Sequence, residues 1–276
     1  VEYKKAIQQH KEHNNFLDLD KVGNYSAKIK NIIDYIRKSD GIVFVYSYYL
    51  YGGIIPLAIA LEHLGFKKYN GSNILANAKG IKPFNLEGTK TQATYSILTA
   101  DPSIVQDMAH EIEVAKSPQN ADGSIIKVIL GTNVTSEGID FKCIREVHLL
   151  EPWHHLNRIE QVVGRAVRTC SHIGLPKEKR NTTIFHHAAI PDTYMESGQK
   201  ESIDLRMYRN SELKQRQIRQ VEDILKTNAI DCVLNVDASY FDPEKLNIEF
   251  DIITSQRKTK KFKIGDSPLY SQYKPI

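Results

Sequence analysis

Two arginines whose spacing would let them share one ligand lie near the middle of the chain. Residues 161–168 read QVVGRAVR, which places Arg165 and Arg168 three residues apart in a segment whose pattern favours a helix. Residues three apart lie on the same face of a helix, so both guanidinium groups could reach one target. The planar, permanently charged guanidinium group is suited to holding phosphate oxygens. The spacing therefore predicts a paired-arginine site for a phosphate-bearing ligand.

A small polar segment follows a predicted strand ahead of this pair. Residues 125–130 read IIKVIL, a β-branched apolar run that predicts a buried strand, and residues 131–140 continue as GTNVTSEGID. Open α/β sheets place their ligands at the carboxyl ends of strands. A hydroxyl and free backbone N–H groups at a strand-to-helix turn favour anion binding. Residues 147–153, VHLLEPW, predict another strand between the two segments.

These segments, in this order and spacing, resemble those of superfamily-two helicases and translocases. Residues 131–140 resemble motif V of that family, and residues 161–168 match the Q-x-x-G-R-x-x-R pattern of motif VI. LEPW at 150–153 and NRIEQ at 157–161 resemble helicase-like ATPases of large nucleocytoplasmic DNA viruses. That group includes the poxvirus early transcription factor small subunit and the poxvirus phosphohydrolase used in transcription termination. The chain is thereby identified as the second, C-terminal RecA-like domain of such a protein.

The resemblance implies a role for individual residues of both motifs. Arg165 and Arg168 would contact the γ-phosphate of ATP, and one would act as an arginine finger that stabilises the transferring phosphoryl group. The residues implied in nucleotide binding or in coupling to a neighbouring domain are Gly138, Asp140, Gln161 and Gly164, with Asp140 at a ribose hydroxyl or bracing the interface. The residues implied in contacting a nucleic-acid phosphate are Thr132 and, in a region that resembles motif IV, Ser47. A simple cap at a strand end explains Ser47 nearly as well.

The elements that bind and orient ATP in that family do not occur in these 276 residues. There is no G-x-x-x-x-G-K-[ST] phosphate loop, and no D-E-x-H or D-E-A-D run follows an apolar strand to hold Mg²⁺. The resemblance therefore implies that ATP with Mg²⁺ binds between this domain and a preceding RecA-like domain of the same polypeptide. Because the first residue is Val1 rather than Met, the chain is expected to be a fragment of a longer protein.

No metal site is predicted within the chain itself. Cys170, His172, His186 and His187 are the residues that could suggest zinc. Their spacing fits none of the usual ligand patterns, so they are interpreted as incidental.

Apolar runs alternate with helical patterns along the first two thirds of the chain. Predicted strands cover 42–46, 66–69, 95–99, 125–130, 147–153 and 181–187, and predicted helices cover 27–38, 54–64 and 102–115. Such alternation predicts an α/β fold with a doubly wound parallel sheet. The expected organisation is a linker or the end of a preceding domain over 1–24, a RecA-like domain over 25–190, and a helical, basic C-terminal extension over 191–276.

The extension includes a long polar helix predicted over 202–227. Its basic residues include Arg216 and Arg219, which could track a phosphate backbone, and a solvated helix face explains them equally well. The net charge of +4 does not decide between these interpretations. The predicted partners are therefore nucleic acid, either DNA or RNA, contacted through its backbone, and the preceding domain.

Composition places the chain among ordinary globular proteins. Hydrophobic residues make up 41% and charged residues 25%, and no run approaches the roughly 20 apolar residues that span a bilayer, so no membrane partner is expected. The three cysteines are odd in number and widely spaced, which predicts free thiols in a reducing compartment. The expected location is intracellular and cytoplasmic, with a viral factory or a virion as further settings that the resemblance allows.

Two functions of different classes fit these observations. The first is the C-terminal half of an ATP-dependent nucleic-acid helicase or translocase. The alternative is a non-enzymatic nucleic-acid-binding or scaffold module that has kept the fold. The presence of both arginines together with Thr132 and Asp140 favours the first, because a module without catalysis has no need to retain them.

Overall fold

The computed structural model describes residues 16–75, 81–136, 138–190, 201–230, 249–253 and 258–263. These residues fall into two compact units. One unit contains the described residues up to Pro152 together with Asn157–Ala189. The other contains Trp153–Leu156 and the described residues from Ile190 onward.

A six-stranded parallel sheet forms the centre of the first unit. Its strands are β1 (Ile42–Tyr46), β2 (Lys67–Lys68), β3 (Thr94–Leu98), β4 (Val128–Gly131), β5 (Ile144–Leu149) and β6 (Thr183–His186). They are arranged in the order β2-β3-β4-β1-β5-β6, and every neighbouring pair is parallel. The predicted doubly wound parallel sheet is therefore confirmed. Because the strands are parallel, the residues that follow them meet at one side of the sheet, which we call the carboxyl edge.

The remaining elements are mostly helices. The α-helices are α1 (Val22–Tyr25), α2 (Ala27–Lys38), α3 (Ile55–His63), α4 (Met108–Lys116), α5 (Leu156–Ala166) and α6 (Ile203–Thr227). A π-helix covers Leu50–Ile54, and short 3₁₀ turns cover Pro118–Asn120, Asn133–Ser136 and Lys177–Lys179. Strands β7 (Glu249–Ile253) and β8 (Thr259–Lys263) form an antiparallel hairpin in the extension, which was predicted to be only helical and basic. In the part of the chain that the structure describes, no helix could cross a bilayer.

The central strands are apolar at every position because both of their faces are buried. Every residue of β1 and β4 is buried. Val43 and Val45 lie in the core that includes residues of α2 and α3. Phe44 alternates to the opposite face, where its ring lies 4.8 Å from that of Phe141. Burial on both faces explains why these strands read as continuous apolar runs instead of alternating ones.

Two elements begin later in the chain than predicted, because side chains accept hydrogen bonds from backbone N–H groups near their starts. Helix α4 was predicted from residue 102 and begins at Met108, where the Asp107 carboxylate accepts a 2.9 Å hydrogen bond from the His110 N–H. Strand β4 was predicted from residue 125 and begins at Val128. The Asn120 amide oxygen accepts hydrogen bonds from the N–H groups of residues 125 and 126, at 3.0 and 2.8 Å, and so holds them out of the ladder.

Glu62 is a buried carboxylate that holds the chain after β2 against the core. Its side chain is on α3, and the residue is 1% exposed. One oxygen accepts hydrogen bonds from the Tyr95 hydroxyl and, at 2.8 Å, from the Ile74 N–H, and the other accepts one from the Leu75 N–H at 2.6 Å. Burial raises the pKa of Glu62, and these hydrogen bonds oppose that rise. The carboxylate therefore satisfies three donors that have little access to water.

Replacing Glu62 with alanine should destabilise the fold strongly. The change leaves three donors without their acceptor, and each such group costs about 1–3 kcal/mol, so we expect a loss of about 3–5 kcal/mol. The measurement is the free energy of unfolding by urea. Glu113→Ala, which removes an exposed carboxylate from α4, is the matched control and should change it by less than about 0.5 kcal/mol. A Glu62→Ala loss no larger than that of the control would show that Glu62 does not hold this segment.

Candidate functional site

The turn after β4 is built around a glycine that no other residue could replace without movement. A Cβ on Gly131 would lie 2.5 Å from the Thr135 hydroxyl oxygen and 2.6 Å from the Phe44 ring. The missing side chain lets the 3₁₀ turn Asn133–Ser136 fold back over the end of the strand. Thr135 donates from its hydroxyl to the Thr132 carbonyl at 2.6 Å and closes that turn.

Thr132, the residue expected to contact a nucleic-acid phosphate, lies at this turn and is 5% exposed. Its hydroxyl donates to the Leu98 carbonyl at 3.2 Å, and its N–H donates to the same carbonyl at 3.1 Å. The side chain therefore joins the ends of β3 and β4 at the carboxyl edge. A phosphate contact through this hydroxyl would need it to exchange partners, and that role stays a prediction.

Asp140 joins the two arginines of the candidate site. Its carboxylate oxygens lie 2.8 Å from Nη1 of Arg168 and 3.5 Å from Nη1 of Arg165. The three side chains are partly exposed, at 53% for Asp140, 46% for Arg168 and 20% for Arg165. A backbone hydrogen bond from the Phe141 N–H to the Arg165 carbonyl, at 3.0 Å, fixes the loop beside the helix. The result is a solvent-facing pair of guanidinium groups held by one carboxylate.

The way in which the arginines meet differs from the prediction. Helix α5 ends at Ala166, so Arg168 lies beyond it and does not share a helical face with Arg165. Arg168 instead folds back, with its Nε 3.3 Å from the Gly164 carbonyl oxygen and a second guanidinium nitrogen on Asp140. A loop carboxylate, and not helical spacing alone, brings the two guanidinium groups together.

The other predicted nucleotide contacts lie beside the arginines or on the same loop. Gly138 has φ of +72°, a left-handed conformation that favours glycine, and a Cβ there would meet no other atom within 4 Å. Gly164 likewise has open space where a side chain would be. Gln161 is exposed and precedes Arg165 by four residues, which places both on one face of α5. This face is open to a ligand or to another domain.

Ser47, the other predicted phosphate contact, is fully buried at the end of β1. Its hydroxyl lies 3.0 Å from a Glu151 carboxylate oxygen, and the same oxygen accepts a hydrogen bond from the Tyr48 N–H. The Tyr49 N–H lies 3.1 Å from the Ser47 hydroxyl oxygen, as in a strand-end cap. Burial raises the pKa of Glu151, and the Tyr48 N–H opposes that rise. Ser47 therefore shapes the turn after β1, and its contact with phosphate stays a prediction.

Arg158 and Tyr48 belong to the carboxyl edge and were missed by the sequence reasoning. The Arg158 guanidinium lies 4.9 Å above the Tyr48 ring, a cation–π geometry. It also donates to the amide oxygen of Asn133 in the turn after β4. Arg158 thus connects the turn after β1 with the turn after β4. The available signal was the YYLY run at residues 48–51, with three tyrosines directly after a buried strand.

Arg216 and Arg219 lie on α6, in the second unit. Arg216 is exposed, and Arg219 donates to the Glu222 carboxylate at 2.7 Å. Their contact with nucleic acid stays a prediction.

The histidines of the first unit bind protein groups. His148 is buried between the Glu146 carboxylate at 3.1 Å and the His187 ring nitrogen at 2.9 Å. His172 lies 2.7 Å from the Ile144 carbonyl oxygen. Burial and the neighbouring His148 lower the pKa of His187 to about 4. Among the described residues, no group of three or more His, Cys, Asp or Glu side chains is arranged to hold a metal.

A family model matches the part of the chain that contains the candidate site. Residues 57–170, which include the turn after β4 and both arginines, match the family described as Helicase conserved C-terminal domain. Residues 57–170 thus belong to a helicase conserved C-terminal domain. The resemblance to superfamily-two helicases inferred from the two motifs is thereby confirmed.

Two curated relatives of this chain are viral proteins. A protein of Acanthamoeba polyphaga mimivirus with the provisional name ATP-dependent RNA helicase is 34% identical over 83% of this chain and 36% of its own length. The "Termination factor NPH-I homolog" of African swine fever virus is 29% identical over 77% of this chain and 33% of its own length. The chain thus spans about a third of the length of these relatives. A solved structure, the C-terminal part of the Fun30 ATPase domain, is similar with a TM-score of 0.45 and 15% identity over 76% of this chain and 53% of its own.

Proposed function

We propose that this chain is the second half of an ATP-dependent nucleic-acid helicase or translocase. In this proposal ATP binds between a preceding RecA-like domain and the helicase domain described here. Arg165 and Arg168 contribute the positive charge that stabilises the transferring phosphoryl group. The observation that carries the proposal is the partly exposed arginine pair held by Asp140.

The arginine pair is suited to binding a nucleotide phosphate, but it does not form a complete nucleotide site. Two guanidinium groups on an open surface match the charge and shape of phosphate oxygens. Asp140 is already shared by both arginines, so in this proposal Mg²⁺ is held by the preceding domain. When the cleft closes, a phosphate entering between the guanidinium groups would compete with Asp140 for them. Asp140 therefore holds the arginines in place until the nucleotide is present.

The carboxyl edge is the proposed path of the nucleic acid. Thr132 and Ser47 lie in the turns after β4 and β1, which are adjacent strands, and Arg158 connects those turns. If closure of the cleft shifted these turns, their phosphate contacts would move along the nucleic-acid strand. The names of the relatives include both an RNA helicase and a termination factor, so the proposal covers either nucleic acid.

Binding of nucleic acid should weaken steeply with salt and depend little on sequence. Each phosphate contact releases counterions. For single strands, the logarithm of the binding constant falls with the logarithm of the salt concentration with a slope of roughly −0.7 per contact. The measurement is fluorescence anisotropy with mixed-sequence DNA and RNA over a range of salt concentrations. The double variant Arg216→Ala, Arg219→Ala removes two contacts and should reduce the magnitude of the slope by roughly 1.4, and Thr132→Ala should weaken binding severalfold.

The control for this titration removes two cations from elsewhere. Arg37 and Lys38 lie in the last turn of α2, just before β1 begins and therefore away from the carboxyl edge. The double variant Arg37→Ala, Lys38→Ala should leave the slope unchanged. A flat salt response, or a strong preference for one sequence, would point to base reading and against a motor that moves along the backbone.

A further inference from the structure

A cavity opens at the carboxyl edge beyond the ends of β2 and β3. Its volume is about 430 Å³, within the range of small-ligand sites. Three isoleucines, Ile55, Ile74 and Ile104, provide apolar walls, and Tyr51 contributes an aromatic ring. The rest of the lining consists of Gly71, Lys68 and the polar side chains of Asn70, Ser72, Asn73, Ser103 and Gln106. Apolar walls with a few polar groups suit a flat, uncharged ligand.

Tyr51 presents a ring to this cavity in a fixed orientation. The residue is 62% exposed, and its hydroxyl donates to the Asp101 carboxylate at 2.8 Å. Asp101 is itself held by the N–H and the hydroxyl of Ser103, at 2.9 and 2.6 Å. An exposed aromatic ring whose polar end is anchored offers a flat stacking surface at little cost in side-chain entropy.

The backbone that carries Tyr51 is also fixed. Tyr51 belongs to the π-helix Leu50–Ile54, a conformation often found at functional sites. A Cβ on Gly53 would lie 2.0 Å from the Ser47 hydroxyl oxygen, so glycine allows the π-helix to pack directly on the end of β1. The ring is therefore positioned relative to the turn that the proposed function assigns to the nucleic-acid path.

The charge at the cavity disfavours a phosphate. Lys68 lines the cavity but is only 6% exposed, and its ammonium group donates to the Ile104 carbonyl. The same ammonium interacts electrostatically with the buried carboxyl groups of Glu62 and Glu111. Its positive charge is thus used within the fold, and an anion entering the cavity would find carboxylates behind the lysine. A neutral ligand avoids that repulsion.

The cavity lies beside the proposed strand path. Thr132 binds the Leu98 carbonyl at the end of β3, and Asp101 and Ser103 follow three and five residues later. Tyr48 and Tyr49, whose ring centroids are 5.3 Å apart, come immediately before the π-helix. Exposed aromatic side chains next to a backbone-binding groove are how single strands are held without regard to sequence.

We propose that this cavity accepts one unstacked nucleobase of the bound strand, with Tyr51 as its stacking partner. The inference rests on the proposed function, because the phosphate contacts of the strand deliver the base to the cavity. It adds a contact with a base to a surface otherwise assigned to the backbone.

The test compares a strand that has bases with one that lacks them. The whole chain is titrated with an oligothymidylate of about 12 nucleotides and with an abasic strand of equal length and charge. Stacking on an aromatic side chain is worth a factor of roughly ten per base, so the oligothymidylate should bind about five- to tenfold more tightly. Tyr51→Ala should remove most of this difference and leave binding of the abasic strand unchanged. Tyr51→Phe should keep most of it, because the ring is retained.

Ile173→Ala is the matched control. Ile173 is 61% exposed. Its neighbour His172 contacts the carbonyl of Ile144 on β5, and β5 is separated from β2 and β3 by β4 and β1. Its removal should leave the ratio of the two affinities as it is in the unmodified chain. A strand containing 4-thiothymidine, irradiated on the chain, should crosslink to Tyr51 or to residues 70–74.

The outcomes separate the cavity from the proposed function. Equal, salt-dependent binding of both strands by the unmodified chain would overturn the cavity assignment and leave the proposed function standing. A Tyr51→Ala variant that weakens both strands equally would also overturn it. Absence of binding to either strand would overturn the proposed function and the cavity assignment together.

Discussion

Arg168→Ala should lower kcat for ATP hydrolysis by about 10³-fold or more in the full-length protein that carries this chain, while leaving ATP binding largely intact. Arginine fingers are worth ~10³–10⁵ in rate because they act on charge that develops in the transition state. In the structure Arg168 is the more exposed of the two arginines, at 46%, and is anchored on Asp140 at 2.8 Å. It is therefore both available to a phosphate and oriented before one arrives.

Arg165→Ala should produce a similar loss. Arg165 is less exposed, at 20%, and its guanidinium group lies 3.5 Å from the same Asp140 carboxylate that anchors Arg168. Lysine is not a conservative replacement at either position, because it cannot present the planar fork that meets two oxygens at once. We therefore expect Arg165→Lys and Arg168→Lys to recover only a small part of the rate.

Steady-state hydrolysis and nucleotide binding should be measured on the same preparations. Arg37→Ala removes an exposed arginine from the end of α2 and serves as the control for lost charge. It should retain normal kcat. Near-normal turnover in both the Arg165→Ala and the Arg168→Ala proteins would refute the assignment of these residues to the ATP site.

The strands and the two motifs could be predicted because each depends on local pattern. Continuous apolar runs identified β1 and β4 because both faces of these strands are buried. The prediction that α2 covers 27–38 is confirmed, and Ser26 caps it by accepting the Ile29 N–H at 3.3 Å. In both cases the residues that decide the structure are neighbours in sequence.

Contacts between distant residues could not be predicted in the same way. Arg168 was expected on the helix, but α5 ends at Ala166 and the arginine is held by Asp140, 28 residues earlier. Arg158 contacts Asn133 and Tyr48, which lie on separate turns of the sheet. Such pairs arise from the order β3-β4-β1-β5, and a single sequence does not show which strands become neighbours.

Side chains that bind the backbone explain the shifted element boundaries. Asn120 accepts hydrogen bonds from the N–H groups of residues 125 and 126. Helix α4, predicted from residue 102, is capped instead by Asp107 and begins after it. Asp101 is a residue type that often caps helices. Here, however, its carboxylate accepts a hydrogen bond from the N–H of Ser103, two residues later, as in a turn. Both aspartates fit a cap by type, and only the fold decides between them.

The helicase domain by itself should hydrolyse ATP poorly. In the proposed function it provides two arginines for the transition state, but the 276 residues contain no phosphate loop and no D-E-x-H or D-E-A-D run. Asp140, a carboxylate at the arginine pair, is already engaged by both arginines. In the proposed site these arginines would meet the γ-phosphate of ATP, and the missing phosphate loop and Mg²⁺ ligands would have to come from another domain. The proposed site is complete only when another domain closes on this one.

The measurement that tests this most directly is ATP hydrolysis by the purified 276-residue chain, with and without nucleic acid, beside the full-length protein. An Arg168→Ala form of the chain reports any contaminating ATPase, and a cooperative thermal transition shows that the chain is folded. We expect the folded chain to turn over ATP no faster than its Arg168→Ala form, while the full-length protein turns it over readily. Hydrolysis by the chain alone at the full-length rate, abolished by Arg168→Ala, would contradict the claim that it supplies half of a shared ATP site.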